Sequence, residues 1–75
     1  MRHKTIIEVK ADWDEMGKVW LAGSAQVSEL SVEAPTLEEL RVKVYATLVH
    51  LIEDKDNPQE IPIRIHAEHM GWLVV

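Results

Sequence analysis

The sequence lacks several features that proteins of its size commonly depend on. It contains no cysteine, so neither a disulfide nor a thiolate metal site can stabilise it. Its 75 residues are expected to form a single domain, residues 1–75. A domain of this size buries only roughly 60% of the surface of its unfolded chain, and such domains usually gain stability from disulfides, a metal or a second copy. Since disulfides are excluded, association with a second copy becomes a hypothesis.

Long apolar runs are absent as well. The longest stretch, residues 72–75, is far shorter than the about 20 residues needed to cross a bilayer. The N-terminal region also lacks the apolar segment of a secretory signal. The sequence therefore predicts a cytoplasmic protein with no membrane partner.

Positive charge is scarce and scattered. The net charge is −5, with 13 acidic residues against 8 lysines and arginines. Because no basic stripe exists to neutralise phosphates, nucleic acid is not expected as a direct partner. An acidic surface suits a basic protein partner, and moderate negative charge also serves solubility alone.

Signatures of catalysis are missing too. The three glycines, Gly17, Gly23 and Gly71, form no phosphate-binding loop, and no serine lies in a nucleophile elbow. His66 and His69 are three residues apart, so a continuous strand would point them to opposite faces and prevent shared metal binding. The sequence therefore predicts a protein that is not an enzyme and has no metal or other cofactor.

One catalytic alternative involves carboxylates near the ends of strands. A divalent-metal-dependent nuclease remnant would use Asp12, Asp14 and Glu33. The hypothesis requires the three carboxylates to converge on one metal ion, although pairs of acids are expected by chance in so acidic a chain.

Alternating apolar residues predict strands at residues 5–13, 19–24, 29–34 and 61–67. The apolar face of the first strand consists of Ile7, Val9, Ala11 and Trp13. A turn at residues 14–18 joins the first two strands, and Gly17 is the residue there that most freely adopts a positive φ.

A helix is predicted from residue 37 to about residue 54. Thr36 and Glu39 have the spacing of a capping box, and the helix lacks glycine and proline. Its core-facing stripe consists of Leu37, Leu40, Val44, Leu48 and Leu51. The predicted fold is α+β, in the chain order β-β-β-α-β. The return strand lies beside the first and parallel to it, giving the sheet order 3-2-1-4 with the helix on one face.

The helix also carries a second apolar stripe on its opposite side. It consists of Val42, Tyr45, Ala46 and Val49, at spacings of three and four residues. Two interpretations have equal weight. The stripe is covered by another protein chain, or its members are ordinary apolar residues on a wet surface.

The C-terminal residues form another apolar segment, which ends with Trp72, Leu73, Val74 and Val75. Such a segment invites strand-to-strand aggregation when nothing covers it. It is expected to pair as a short fifth strand, to pack in the core of its own chain, or to contact a neighbouring chain. Packing of Trp72 in its own core is slightly favoured, and truncation after His69 would separate these accounts.

Several short motifs resemble the HicB-like antitoxin family, and in particular its short stand-alone relatives of unknown function. The motifs are residues 11–15, residues 17–22 and residues 32–40. The resemblance spans about residues 5–67 and implies a partial RNase H-like β-β-β-α-β fold. It departs from the family at residues 27–30, where the family commonly has a Pro-Gly-Leu step.

The resemblance also implies a function. HicB-like domains form oligomers, and complete antitoxins mask a small basic toxin that cleaves messenger RNA. Complete antitoxins append a DNA-binding segment after the fourth strand, whereas this sequence ends at Val75, so operator binding is not expected. The leading hypothesis is an acidic, homodimeric protein-interaction domain, either a toxin-binding module or an orphan module. Its expected interface combines the second helix stripe with residues 72–75.

Overall fold

The computed structural model describes residues 6–52 and 60–75, which form four strands and one helix. The elements are β1 (Ile7–Asp14), β2 (Val19–Gly23), β3 (Ser31–Ala34), α1 (Leu37–Ile52) and β4 (Ile63–Glu68). They form one sheet in the order β3-β2-β1-β4, in which β4 is parallel to β1 and the other neighbours are antiparallel. This mixed sheet with one helix confirms the predicted α+β class. The described strand ends lie within two residues of their predicted positions.

Alternation along β1 decides which face of the sheet is buried. Ile7, Val9 and Ala11 are 8%, 0% and 0% exposed, as predicted, and the charged residues between them lie on the opposite face. Strand pairing continues the alternation across the sheet, since Ala22 of β2 lies beside Ala11 and Ile65 of β4 lies beside Val9. The side that packs against α1 is called the helix face, and the opposite side is called the open face.

The turn between β1 and β2 forms where predicted, but its backbone differs from the prediction. The N–H of Lys18 donates to the carbonyl of Asp14 at 2.8 Å, and the N–H of Met16 donates to Asp14 Oδ1 at 3.3 Å. The residue with a positive φ is Lys18, at 56°, and not Gly17. The left-handed residue is therefore the last of the loop, where the chain enters β2. A Cβ at Gly17 would lie 2.8 Å from Asp14 Oδ2, so a larger residue there would displace the Asp14 side chain.

Helix α1 begins where the capping signal predicts. Thr36 Oγ1 accepts a hydrogen bond from the N–H of Glu39 at 3.2 Å, which satisfies one of the free donors of the first turn. Glu38 and Glu39 also lie at the positive end of the helix dipole. No helix in the two described segments is long and apolar enough to cross a membrane.

The buried stripe of α1 is shorter than predicted. Its buried members are Leu40, Val44 and Leu48. Leu37 and Leu51 are 41% and 39% exposed, so their assignment to the core was wrong. Helix α1 packs against β3 and β2 through its middle turns, so residues at its two ends lie beyond that contact. The predicted end of the helix, near residue 54, lies outside the described residues.

Where the chain leaves β2, the side chain of Gln26 continues the pairing with β1. Gln26 Nε2 donates to the carbonyl of Ile6 at 3.0 Å, and Gln26 Oε1 accepts from the N–H of Glu8 at 3.2 Å. A side-chain amide offers the same donor and acceptor as a peptide unit. Gln26 therefore supplies one more rung of the ladder, while the loop before β3 places Leu30, 3% exposed, in the core.

Candidate interaction surfaces

The outer side of α1 carries the second apolar stripe. This outer stripe consists of Val42, Tyr45, Ala46 and Val49, and all four are at least partly exposed. The exposed fractions of Val42, Tyr45 and Val49 are 63%, 43% and 60%. The stripe lies opposite the buried Leu40 and Val44, so α1 is apolar on two sides and buried on only one.

The segment after β4 is a continuous run of exposed residues, and residues 70–75 are called the C-terminal tail. Its large apolar side chains are Met70, Trp72, Leu73, Val74 and Val75, with exposed fractions of 81%, 89%, 87%, 93% and 110%. The expected packing of Trp72 in its own core is therefore wrong, and the described residues contain no fifth strand. The physical reason is that the buried core of the described chain is completed by residues that all precede β4.

A cluster of three rings lies where the tail begins. The ring of His69 is 5.7 Å from that of Trp13 and 6.1 Å from that of Trp20, and the two indoles are 5.5 Å apart. Sequence reasoning missed this cluster. The sequence observation that could have predicted the cluster is the position of the two tryptophans, which flank the turn and pair across β1 and β2. His66, by contrast, contacts Glu8 on the open face, so the prediction that the two histidines face opposite ways is confirmed.

Glu15 links the turn to the ring cluster. Trp13 Nε1 donates to Glu15 Oε2 at 2.6 Å, and Lys18 Nζ forms an ion pair with Glu15 Oε1. The hydrogen bond from Lys18, and after it the hydrogen bond from Trp13, hold the pKa of Glu15 below its ordinary value. The group is exposed, so the arrangement orders the turn without burying a charge.

The edge of the sheet at β3 is protected by a lysine. Lys43 Nζ of α1 donates to the carbonyl oxygen of Glu33 at 2.9 Å. A lysine placed over the outward backbone of an edge strand discourages another strand from pairing there.

The edge of the sheet at β4 differs from the edge at β3, where a lysine forms a hydrogen bond with the backbone. The N–H of Ile7 donates to the carbonyl of Pro62 at 3.0 Å, and Ile7 lies beside Ile63 in the parallel register. In a parallel ladder this pattern turns the backbone of even-numbered β4 residues toward β1. The N–H and C=O groups of Ile63, Ile65 and Ala67 therefore point outward, and no side chain of the described residues forms a hydrogen bond with them.

Acidic residues dominate the open face. Its charged side chains are Glu8, Lys10, Asp12, Asp14, Glu33, Arg64 and Glu68. In the strand register Asp12 lies between Leu21 and Glu68, and Glu33 lies on the far side of Leu21. Three carboxylates therefore form one row across the sheet, around a leucine that is 42% exposed.

At the other end of the open face, negative charge is balanced. Glu8 Oε1 is 3.3 Å from a guanidinium nitrogen of Arg64, and Glu8 Oε2 is 2.5 Å from His66 Nε2. Negative charge is thus concentrated around the row that contains Leu21.

The three carboxylates of the nuclease alternative share the open face without converging. Asp12 on β1 and Glu33 on β3 are separated by β2, so their backbones are about 10 Å apart. Asp14 instead accepts a hydrogen bond within the turn. In residues 6–52 and 60–75 no group of three or more histidine or acidic side chains is placed to hold a metal ion. The described residues therefore do not bring the three carboxylates of this alternative together.

Comparison with known proteins shows similarity over nearly the whole chain. A family model described as a domain of unknown function (DUF1902) matches residues 6–71, which include every strand and the helix. The crystal structure of hypothetical protein TTHA1013 from the extremely thermophilic bacterium Thermus thermophilus is similar, with a TM-score of 0.66 and 35% sequence identity. The match covers 95% of this chain and 100% of that one. No curated protein matches the chain.

Proposed function

The chain belongs to the DUF1902 family, a domain of unknown function, and from its surfaces we propose that it is a non-enzymatic protein-interaction domain that forms a homodimer. The exposed C-terminal tail carries the proposal. At about 100 Å² for each aliphatic side chain and about 200 Å² for tryptophan, the tail offers roughly 600 Å² of apolar surface. That is the upper end of the about 300–600 Å² of the largest apolar patch on a typical monomer.

The outer stripe supports the same proposal from a different side of the molecule. A helix that packs on one sheet needs one apolar stripe, whereas α1 has two. Val42 and Val49 are each at least 60% exposed, so they contribute little to the core of their own chain. Contact with another chain would explain why these exposed positions are apolar.

Light scattering after size-exclusion chromatography tests the homodimer. We expect twice the chain mass of 8.6 kDa at protein concentrations of tens of micromolar, roughly the range of weak specific complexes. Truncation after His69 and the substitution Val49→Asp then test the two surfaces separately, with Glu29→Ala as the surface control. A strict monomer at these concentrations contradicts the homodimer.

For the second partner we propose a small basic protein that docks on the open face. The row of carboxylates around Leu21 supports this, since acidic surfaces steer and orient basic partners. The resemblance to HicB antitoxins, which mask small basic RNase toxins, favours the same class of partner.

Sequencing of the neighbouring genes, followed by calorimetric titration with any short basic protein that they encode, tests this partner. We expect binding that weakens from low to physiological salt and that falls when Asp12→Asn and Glu33→Gln are combined. Glu29→Gln removes a charge outside the open face and is the matched control. Equal losses in both variants, or binding indifferent to salt, would rule out the open face as the docking surface.

A further inference from the structure

We propose that the C-terminal tail of one copy pairs with the free edge of β4 in a second copy, so that two copies exchange tails across a two-fold axis. The inference rests on the proposed homodimer and specifies its contact. The tail supplies an apolar segment that joins no sheet, and β4 supplies a sheet edge with no strand of the described residues beside it.

The β4 edge offers the two things that an added strand needs. The first is unpaired backbone, from the outward N–H and C=O groups of Ile63, Ile65 and Ala67. The second is apolar surface, because on the helix face Ile63 and Ile65 are only half-buried and Ala67 is exposed. The opposite edge offers less, since Lys43 already occupies an outward carbonyl of β3.

The backbone at the end of β4 does not form the tight turn that would return the tail to its own strand. A two-residue hairpin turn at Met70 and Gly71 would return the tail to its own β4, but such turns require positive φ values. Neither residue has a positive φ. His69 also keeps the alternation of β4, since it lies on the helix face against Trp13 and Trp20. The chain therefore continues past the end of its own sheet.

Two-fold symmetry sets the direction and the size of the contact. An extended tail continues in the direction of its own β4, and a two-fold axis perpendicular to the strands reverses that direction in the second copy, so each tail runs antiparallel to β4 of the other. In an extended tail, Leu73 and Val75 lie on the face of Ile65, so exchange covers about 200 Å² of aliphatic side-chain surface in each tail before the acceptor strands are counted.

The alternation of β4 also predicts which tail residues matter. In an extended tail, Leu73 and Val75 have the same parity as Ile65 and share its face, whereas Val74 faces the other way. Leu73→Asp should therefore weaken the dimer more than Val74→Asp. Loss of a buried leucine from both copies predicts a dissociation constant at least ~100-fold weaker for Leu73→Asp.

A second variant tests the acceptor strand. The N–H of Ala67 points away from its own sheet, so Ala67→Pro removes a donor that only an added strand would use, and proline is tolerated at such edge positions. Ala67→Val, which keeps the N–H, is the control. Circular dichroism establishes that all variants are folded before sedimentation equilibrium measures their association.

Amide hydrogen exchange, followed by NMR on the full chain, provides a readout for individual residues. At concentrations that favour the dimer, the amides of Ile63, Ile65 and Ala67 should exchange at least ~10-fold more slowly than in the dilute protein. The inward amides of Arg64 and His66 should be protected at both concentrations, because they pair with β1.

The outcomes separate the exchange from the homodimer itself. Selective loss of association in Leu73→Asp and Ala67→Pro, together with the slowed exchange, supports the inference. Equal effects of Leu73→Asp and Val74→Asp refute strand pairing, and a dimer unaffected by these variants refutes the exchange while the homodimer stands. A monomeric wild-type protein overturns both.

Discussion

The side chain of Gln26 pairs with β1 where a further β2 residue would otherwise do so, and removing it should measurably lower the free energy of unfolding. Gln26→Ala deletes the hydrogen bonds to the carbonyl of Ile6 and from the N–H of Glu8, at 3.0 and 3.2 Å. A protein hydrogen bond contributes a net of about 0.5–1.5 kcal/mol, and these two lie in an open site. We therefore expect the free energy of unfolding to fall by about 1–2 kcal/mol, or a melting temperature lower by about 4–8 °C per kcal/mol.

Gln26→Glu refines the test because the new side chain has nearly the same shape. It keeps an acceptor for the N–H of Glu8 but places a carboxylate oxygen against the carbonyl of Ile6, so it should be at least as destabilising. Urea unfolding followed by tryptophan fluorescence measures both variants, at one protein concentration because association itself adds stability. Glu29→Ala, in the same loop, is the control. A Gln26→Ala variant within about 0.5 kcal/mol of the parent, the range of ordinary surface substitutions, would refute the bridging role.

Three further predictions follow from contacts already described. Leu40→Ala should cost about 2–5 kcal/mol in urea unfolding, whereas Leu37→Ala should cost much less because its side chain is 41% exposed. Thr36→Ala should cost about 1 kcal/mol and Thr36→Ser should restore most of it, since serine also caps helices. NMR titration should give Glu15 a pKa below its ordinary value, and Lys18→Met should raise that pKa. Because the pKa is lowered on folding, the ionised Glu15 stabilises the folded protein above the unfolded-state pKa, and this stabilisation is lost as pH falls through the folded-state pKa.

The elements that sequence alone predicted are those set by local spacing. Period-two alternation identified β1 because one face of that strand is buried and the other is wet. The capping signal at Thr36 placed the start of α1, and the hydrogen bond to the N–H of Glu39 shows why. The outer stripe was also visible, since a spacing of three and four residues places its members together on any helix.

The features that sequence could not predict depend on how distant segments meet. The length of the buried helix stripe depends on how α1 lies across β3 and β2, so Leu37 and Leu51 could not be judged from helix periodicity. The positive φ of Lys18 depends on how the loop closes, and the residue type favoured Gly17 instead. The bridge from Gln26 to β1 joins residues about twenty positions apart, and no spacing rule connects them.

Stability and interaction are supported by different residues in this fold, which makes the proposals testable without unfolding the protein. In the described chain the buried core consists of residues from β1, β2, the following loop, β3 and α1, and it includes neither the outer stripe nor the tail. Substitutions such as Leu73→Asp and Val49→Asp therefore change surfaces that are already exposed in the single chain. A loss of association in these variants reports on contact between chains. By the same reasoning, a loss of folding after truncation at His69 would mean that the tail is covered within its own chain.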